Sequence, residues 1–117
     1  MEFKRKSWNS MNKDMVYSFI NKFIDNFNAR EYKTIITRKG PGILFVQGRI
    51  TDRGFLLETV RFITIDHMRN NPVINYPPGY IETIKNLNSS ISYVIYVQAY
   101  DNVNNEYYSS VKVKNFN

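Results

Sequence analysis

The sequence predicts an α+β domain in which one N-terminal amphipathic helix packs on an antiparallel β-sheet or sandwich of five to six strands. Apolar residues from Met15 to Phe27 recur at helical spacing, and from residue 33 onward they fall into short runs with strand-like alternation. Gly, Pro, Asn and Asp punctuate those runs at turn positions. A chain of 117 residues is long enough for one domain with its own core.

Residues 1–9 read as a basic, aromatic arm, with Lys4, Arg5 and Lys6 solvated and Phe3 and Trp8 as anchors; residues 10–117 read as the single α+β domain. The helix is expected over 12–27. Met15, Val16, Phe19, Ile20, Phe23, Ile24 and Phe27 form its apolar stripe, and Ser10 or Asn12 caps its start. "YKTIITRK" and "ILFVQGRI" read as a hairpin turning at Gly40, Pro41 and Gly42. "TDRG" is the next turn, with Gly54 available for positive φ. "FLLETVRFITID" is a long strand whose apolar residues do not keep one parity, so either both its faces are covered or a bulge switches them. Residues 67–80 form a long, Pro-stiffened loop, and "IETIKNLN" is left open between a strand and a helical turn. A final hairpin, "SYVIYVQAYDNVNNEYYSSVKVKN", closes the chain.

Composition narrows the chemistry. There is no Cys, and His67 is the only His. Neither a disulfide framework nor a thiolate nucleophile is available, and a strand-adjacent Asp66 and His67 point to opposite faces. Asp52, Glu58, Asp66, Asp101 and Glu106 are scattered, with Asp52 and Asp101 in turn contexts where Asp bonds its own backbone. The expectation is a non-enzymatic protein without metal or cofactor. No run approaches the ~18 apolar residues of a membrane span. No export signal is visible, which points to the cytoplasm or a virion. The chain has 15 Asn and two Ala, a bias that suggests an AT-rich coding source such as a phage or other mobile element.

Net charge is +6, and most of the excess lies in residues 1–58, which hold 11 Lys/Arg against 6 Asp/Glu. Two functional expectations follow. The first is assembly through protein–protein contacts, as a homo-oligomer or larger particle. Its contact residues are Phe3 and Trp8 of the arm and Tyr96, Tyr100 and Tyr108 of the last hairpin. There Tyr93, Ile95, Val97 and Ala99 are assigned to the core and Val94, Tyr96, Gln98 and Tyr100 to the outside, because Tyr is enriched where a surface is both apolar and wet. Lys112 and Lys114 suit an edge strand guarded against uncontrolled pairing. The alternative is nucleic-acid binding through the basic hairpin 33–53, with Arg38, Lys39, Arg49 and Arg53 on phosphates and exposed aromatics on bases.

From residue 43 to 114 the chain resembles bacterial Ig-like and fibronectin type III modules. The resemblance rests on Tyr93, Tyr96, Val97, Ala99, Asp101 and Asn105, an alternating strand that turns through Asp and Asn into a last strand. It implies a sandwich of strands and a binding role. The helix-then-sheet order also looks like small phage head–tail connector or tail-completion proteins, which implies a place in a particle. An N-terminal helix departs from the Ig-like pattern.

Overall fold

A computed structural model describes residues 13–70 and 79–116. The chain is α+β. Helix α1, Lys13–Asn26, is followed by a 3-10 turn, Arg30–Tyr32, and helix α2, Lys33–Lys39. Strand β1, Gly42–Thr51, pairs with β2, Gly54–Thr64; then come two short helices, α3 (Ile65–Arg69) and α4 (Tyr80–Lys85), and the strands β3 (Ser92–Asp101) and β4 (Glu106–Asn115). The four strands form one sheet in the order β2-β1-β3-β4. The expected arm, with Phe3 and Trp8, lies outside the described residues, as do residues 71–78 of the expected loop.

The sheet is mixed and has four strands, which corrects the antiparallel sheet of five to six. Its central pair is parallel. Phe45 meets Tyr96 across it, and Gln47 meets Gln98, each pair 51 positions apart. Strands in the middle of a parallel arrangement are covered on both faces and read as continuous apolar runs rather than alternating ones. Ile43 to Val46 and Tyr93 to Val97 are such runs, and every one of these residues is buried. A parallel pair also needs a long connection, and β2, α3 and α4 lie within it.

The second correction concerns "YKTIITRK", which is helical rather than a strand. Ala29 O accepts from Tyr32 N at 2.8 Å, and the Thr37 hydroxyl donates back to Lys33 O. Its β-branched residues favour a strand weakly, but Ile36 is buried, and that tertiary contact outweighs propensity. Gly40, at φ 93°, ends the helix, so Gly40 and Pro41 separate a helix from a strand and are not a hairpin turn. "IETIK", left open in the sequence, is helix α4, and His67 and Arg69 of the expected loop belong to α3.

The chain divides into two compact units, and each strand contributes one end to each. The first comprises Met1–Phe27, Val46–Thr59 and Val97–Ser110. Here α1 covers one face of the strands. Tyr17 stands edge-on to Tyr108 of β4 at 5.7 Å, and Phe23 packs on Phe55 of β2 at 4.7 Å, so the helix crosses from one edge strand to the other. Val16, Ile20 and Ile24 are its buried stripe, within one residue of the expected helix bounds at each end. Gly48 allows Phe55 to lie under that helix, since a Cβ there would collide with the Leu56 carbonyl oxygen and the Phe55 ring.

Within this unit Phe55 shares the Gly48 face, whereas Thr59 donates to Gln47 Oε1 on the opposite face. Four residues apart should mean the same face. The pleat of β2 therefore slips by one residue between them, which accounts for the broken parity in "FLLETV".

The second unit comprises Asn28–Phe45, Val60–Tyr96 and Val111–Asn117. Its cluster joins Ile43, Phe45, Ile63, Val94 and Tyr96 of the strands to Ile65 and Met68 of α3 and Ile84 of α4. Helices α3 and α4 thus cover one face of the strands here. Tyr93, on the other face, stacks on Phe116 at 4.7 Å.

Turn chemistry closes both hairpins. Thr51 Oγ1 accepts from Arg53 N and donates to Gly54 O. Buried Asp101 accepts from Val103 N at 2.9 Å and Asn104 Nδ2 at 2.8 Å, the self-bonding turn expected for it.

Candidate functional site

The open face of the first unit is a ladder of polar pairs. Gln47 Nε2 donates to Gln98 Oε1 at 3.1 Å, and Arg49 Nε donates to Glu58 Oε2 at 2.8 Å. Tyr100 lies 4.8 Å from Tyr107, and its hydroxyl donates to Asn105 Oδ1 at 2.8 Å. Each pair satisfies itself, and an exposed ion pair such as Arg49–Glu58 adds little stability.

Met15, Tyr17, Ile35, Ile91 and Val103 are exposed on helices and turns, and within the sheet the exposed apolar residues lie on the two edge strands. Leu56 is 47% exposed and Leu57 43%, side by side where β2 changes face. On β4, Tyr107 is 67% exposed and Val113 44%, but Lys112 and Lys114 flank Val113. β4 is thus the guarded edge the sequence leads one to expect, with lysines that hinder pairing. The stretch Gly54–Thr59 carries no Lys, Arg or Pro, and its one charge, Glu58, is held by Arg49.

The tyrosines fall differently from their expected places. Val94 and Tyr96 are buried, not outward-facing; Tyr96 is 4% exposed, with its ring against Phe45, because α3 and α4 cover that face. Tyr108 is 5% exposed against Tyr17. Only Tyr100 of the three is half-exposed. The Tyr108 hydroxyl donates to Glu106 Oε2 at 2.7 Å, and that bond, with burial and the nearby Glu106 and Asp101 charges, pushes its pKa up to about 12. Burial alone raises Tyr93.

A phenol whose folded pKa is raised holds its proton longer than in the unfolded chain. Its stabilising contribution is therefore complete below pH 10 and is lost as pH rises to about 12. Glu106→Gln is expected to move one tyrosine from the late-titrating fraction towards the ordinary range, read as absorbance at 295 nm against pH.

The basic residues of the nucleic-acid alternative do not share a hairpin. Arg38 and Lys39 end helix α2 in the second unit, while Arg49 and Arg53 belong to the first, Arg49 already paired. The fold also redistributes charge. Among the described residues, the first unit holds four Lys/Arg and six Asp/Glu, whereas the second holds nine Lys/Arg and three Asp/Glu, so the positive excess lies in the second.

Among the described residues, no three His, Asp or Glu side chains group closely enough to hold a metal ion, and no helix is long and apolar enough to cross a membrane. His67 is exposed and gives its backbone N–H to the Thr64 hydroxyl. Of the two readings of the broken parity around Leu56 and Leu57, both faces covered or a bulge, the exposure of both leucines on an edge strand favours the bulge. No family model, curated protein or solved structure matches the chain.

Proposed function

We propose that the chain is a non-enzymatic structural or adaptor protein that assembles through protein–protein contacts, with the outer edge of β2 as its contact strip and a second copy of itself as the partner. The adjacent Leu56 and Leu57, both nearly half exposed on an edge strand, carry this reading. An edge strand offers unpaired backbone N–H and C=O groups, and apolar side chains on it add burial when another strand pairs. Two copies pairing β2 to β2 antiparallel about a twofold axis give a closed, self-complementary contact. The Asn-rich, Ala-poor composition is in keeping with a particle component of a phage or other mobile element.

Sedimentation velocity over a range of concentrations tests it. The chain is expected to shift from monomer to dimer or higher as concentration rises. Leu57→Lys, which changes an exposed position and leaves the core intact, is expected to weaken association at least about tenfold, the loss of one buried leucine plus an unpaired charge in the seam. A chain that stays monomeric at every concentration ends this reading.

A second reading, nucleic-acid binding, is favoured by the excess of nine Lys/Arg over three Asp/Glu in the second unit.

A further inference from the structure

Three cations of the second unit converge on one small concavity. Lys39 is the last residue of α2, Arg69 of α3 and Lys85 of α4, and all three line a cavity of about 150 Å³ together with Pro41, Thr64 and Asp66. We propose that this cavity binds a phosphate group. The inference stands whether or not β2 mediates assembly.

Size comes first. A concavity of about 150 Å³ suits a single small anion such as a phosphoryl group and falls short of the roughly 300 Å³ or more of an ordinary small-molecule site. Chemistry follows. Arg69 offers a planar fork suited to two phosphate oxygens, and Lys39 and Lys85 offer compact charges from two other helices. Thr64 Oγ1 accepts from His67 N, which leaves its hydroxyl proton as a donor.

Charge balance within the cavity also favours an anion. Lys85 has only a long contact of 3.9 Å, to Glu82, and among the described residues Lys39 and Arg69 form no ion pair with a carboxylate. Asp66 is the one negative group of the lining. The cations also sit where helix carbonyls end, which by itself attracts positive charge. These helices have seven, five and six residues, too short for a large dipole, and dipole compensation does not require the three ends to share one cavity.

The opposite charge of Asp66 makes the test sharp. Calorimetric titration uses two probes at low salt: inorganic phosphate, and a single-stranded oligonucleotide of about twelve residues. Binding of either probe is expected, and which one binds tells a free phosphate from a nucleic-acid backbone. Lys39→Ala and Arg69→Ala are each expected to weaken it about tenfold, as for a lost charged hydrogen bond. Asp66→Asn is expected to tighten it, a change that general damage to the fold does not produce. Arg38→Ala, one position from Lys39 but outside the lining, is the control for a diffuse positive field. The proposal is overturned if neither probe binds, if Asp66→Asn fails to tighten, or if Arg38→Ala costs as much as Lys39→Ala. It is equally overturned if the lining variants lower stability and leave probe affinity unchanged.

Discussion

Replacing Gly48 by Ala is expected to destabilise the chain by more than about 3 kcal/mol, beyond the usual range for one surplus methyl group. The added methyl runs into the carbonyl oxygen of Leu56, a main-chain atom of the neighbouring strand that no side-chain rotation moves. It also meets the Phe55 ring, which is pinned from the other side by Phe23 at 4.7 Å. The only relief is to part β1 from β2 where β2 changes face. Denaturant unfolding followed by circular dichroism measures the loss. A variant within about 1 kcal/mol of the parent contradicts the close approach of these strands.

Ile20→Ala is expected to cost about 2–5 kcal/mol. Ile20 has no solvent exposure and lies between Val16 and Ile24 on the buried stripe of α1. Truncation there leaves a cavity between helix and strands that neighbouring β-branched residues, stiff at χ1, fill poorly. Met15→Ala is the contrast. Met15 is half exposed although it keeps the helical period, and its loss is expected to stay within about 0.5 kcal/mol. Equal effects at the two positions contradict the face α1 presents to the sheet.

How much of this was legible varies by element. Helix α1 and the last hairpin were readable because their signals are local: a 3.6-residue stripe in one case, and Asp101 and Asn105 around a turn in the other. The parallel pairing of β1 with β3 was not. It depends on residues 51 positions apart, and its one local trace is the unbroken apolar run in "ILFV" and "YVIYV", which strand alternation does not explain. Alternation alone puts Tyr96 outside, whereas cover on both faces buries it. Helix α2 was lost because Thr34, Ile35, Ile36 and Thr37 favour strands, while its helical state is fixed by burial of Ile36 and the stop at Gly40.

The candidate sites follow the same division. Asp101 was placed correctly as a turn residue since its bonds reach only three positions. The exposed Leu56 and Leu57 depend on β2 being an outer strand, which only the strand order shows. The basic cavity joins Lys39, Arg69 and Lys85, residues spread over 46 positions, and no spacing rule connects them. Charge counted along the chain placed the excess in the N-terminal half, whereas the folded units put it in the one built from the middle and the C-terminal end.

Amide hydrogen exchange of residues 54–59, followed at two protein concentrations well separated in the sedimentation series, tests the proposed edge contact most directly. Backbone N–H groups on the free side of an edge strand exchange readily, and pairing with a second strand protects them. The outward amides of β2 are predicted to slow markedly at the higher concentration, and Leu57→Lys is predicted to abolish that slowing. Exchange in residues 54–59 that is the same at both concentrations, in a chain that nevertheless associates, contradicts pairing through β2.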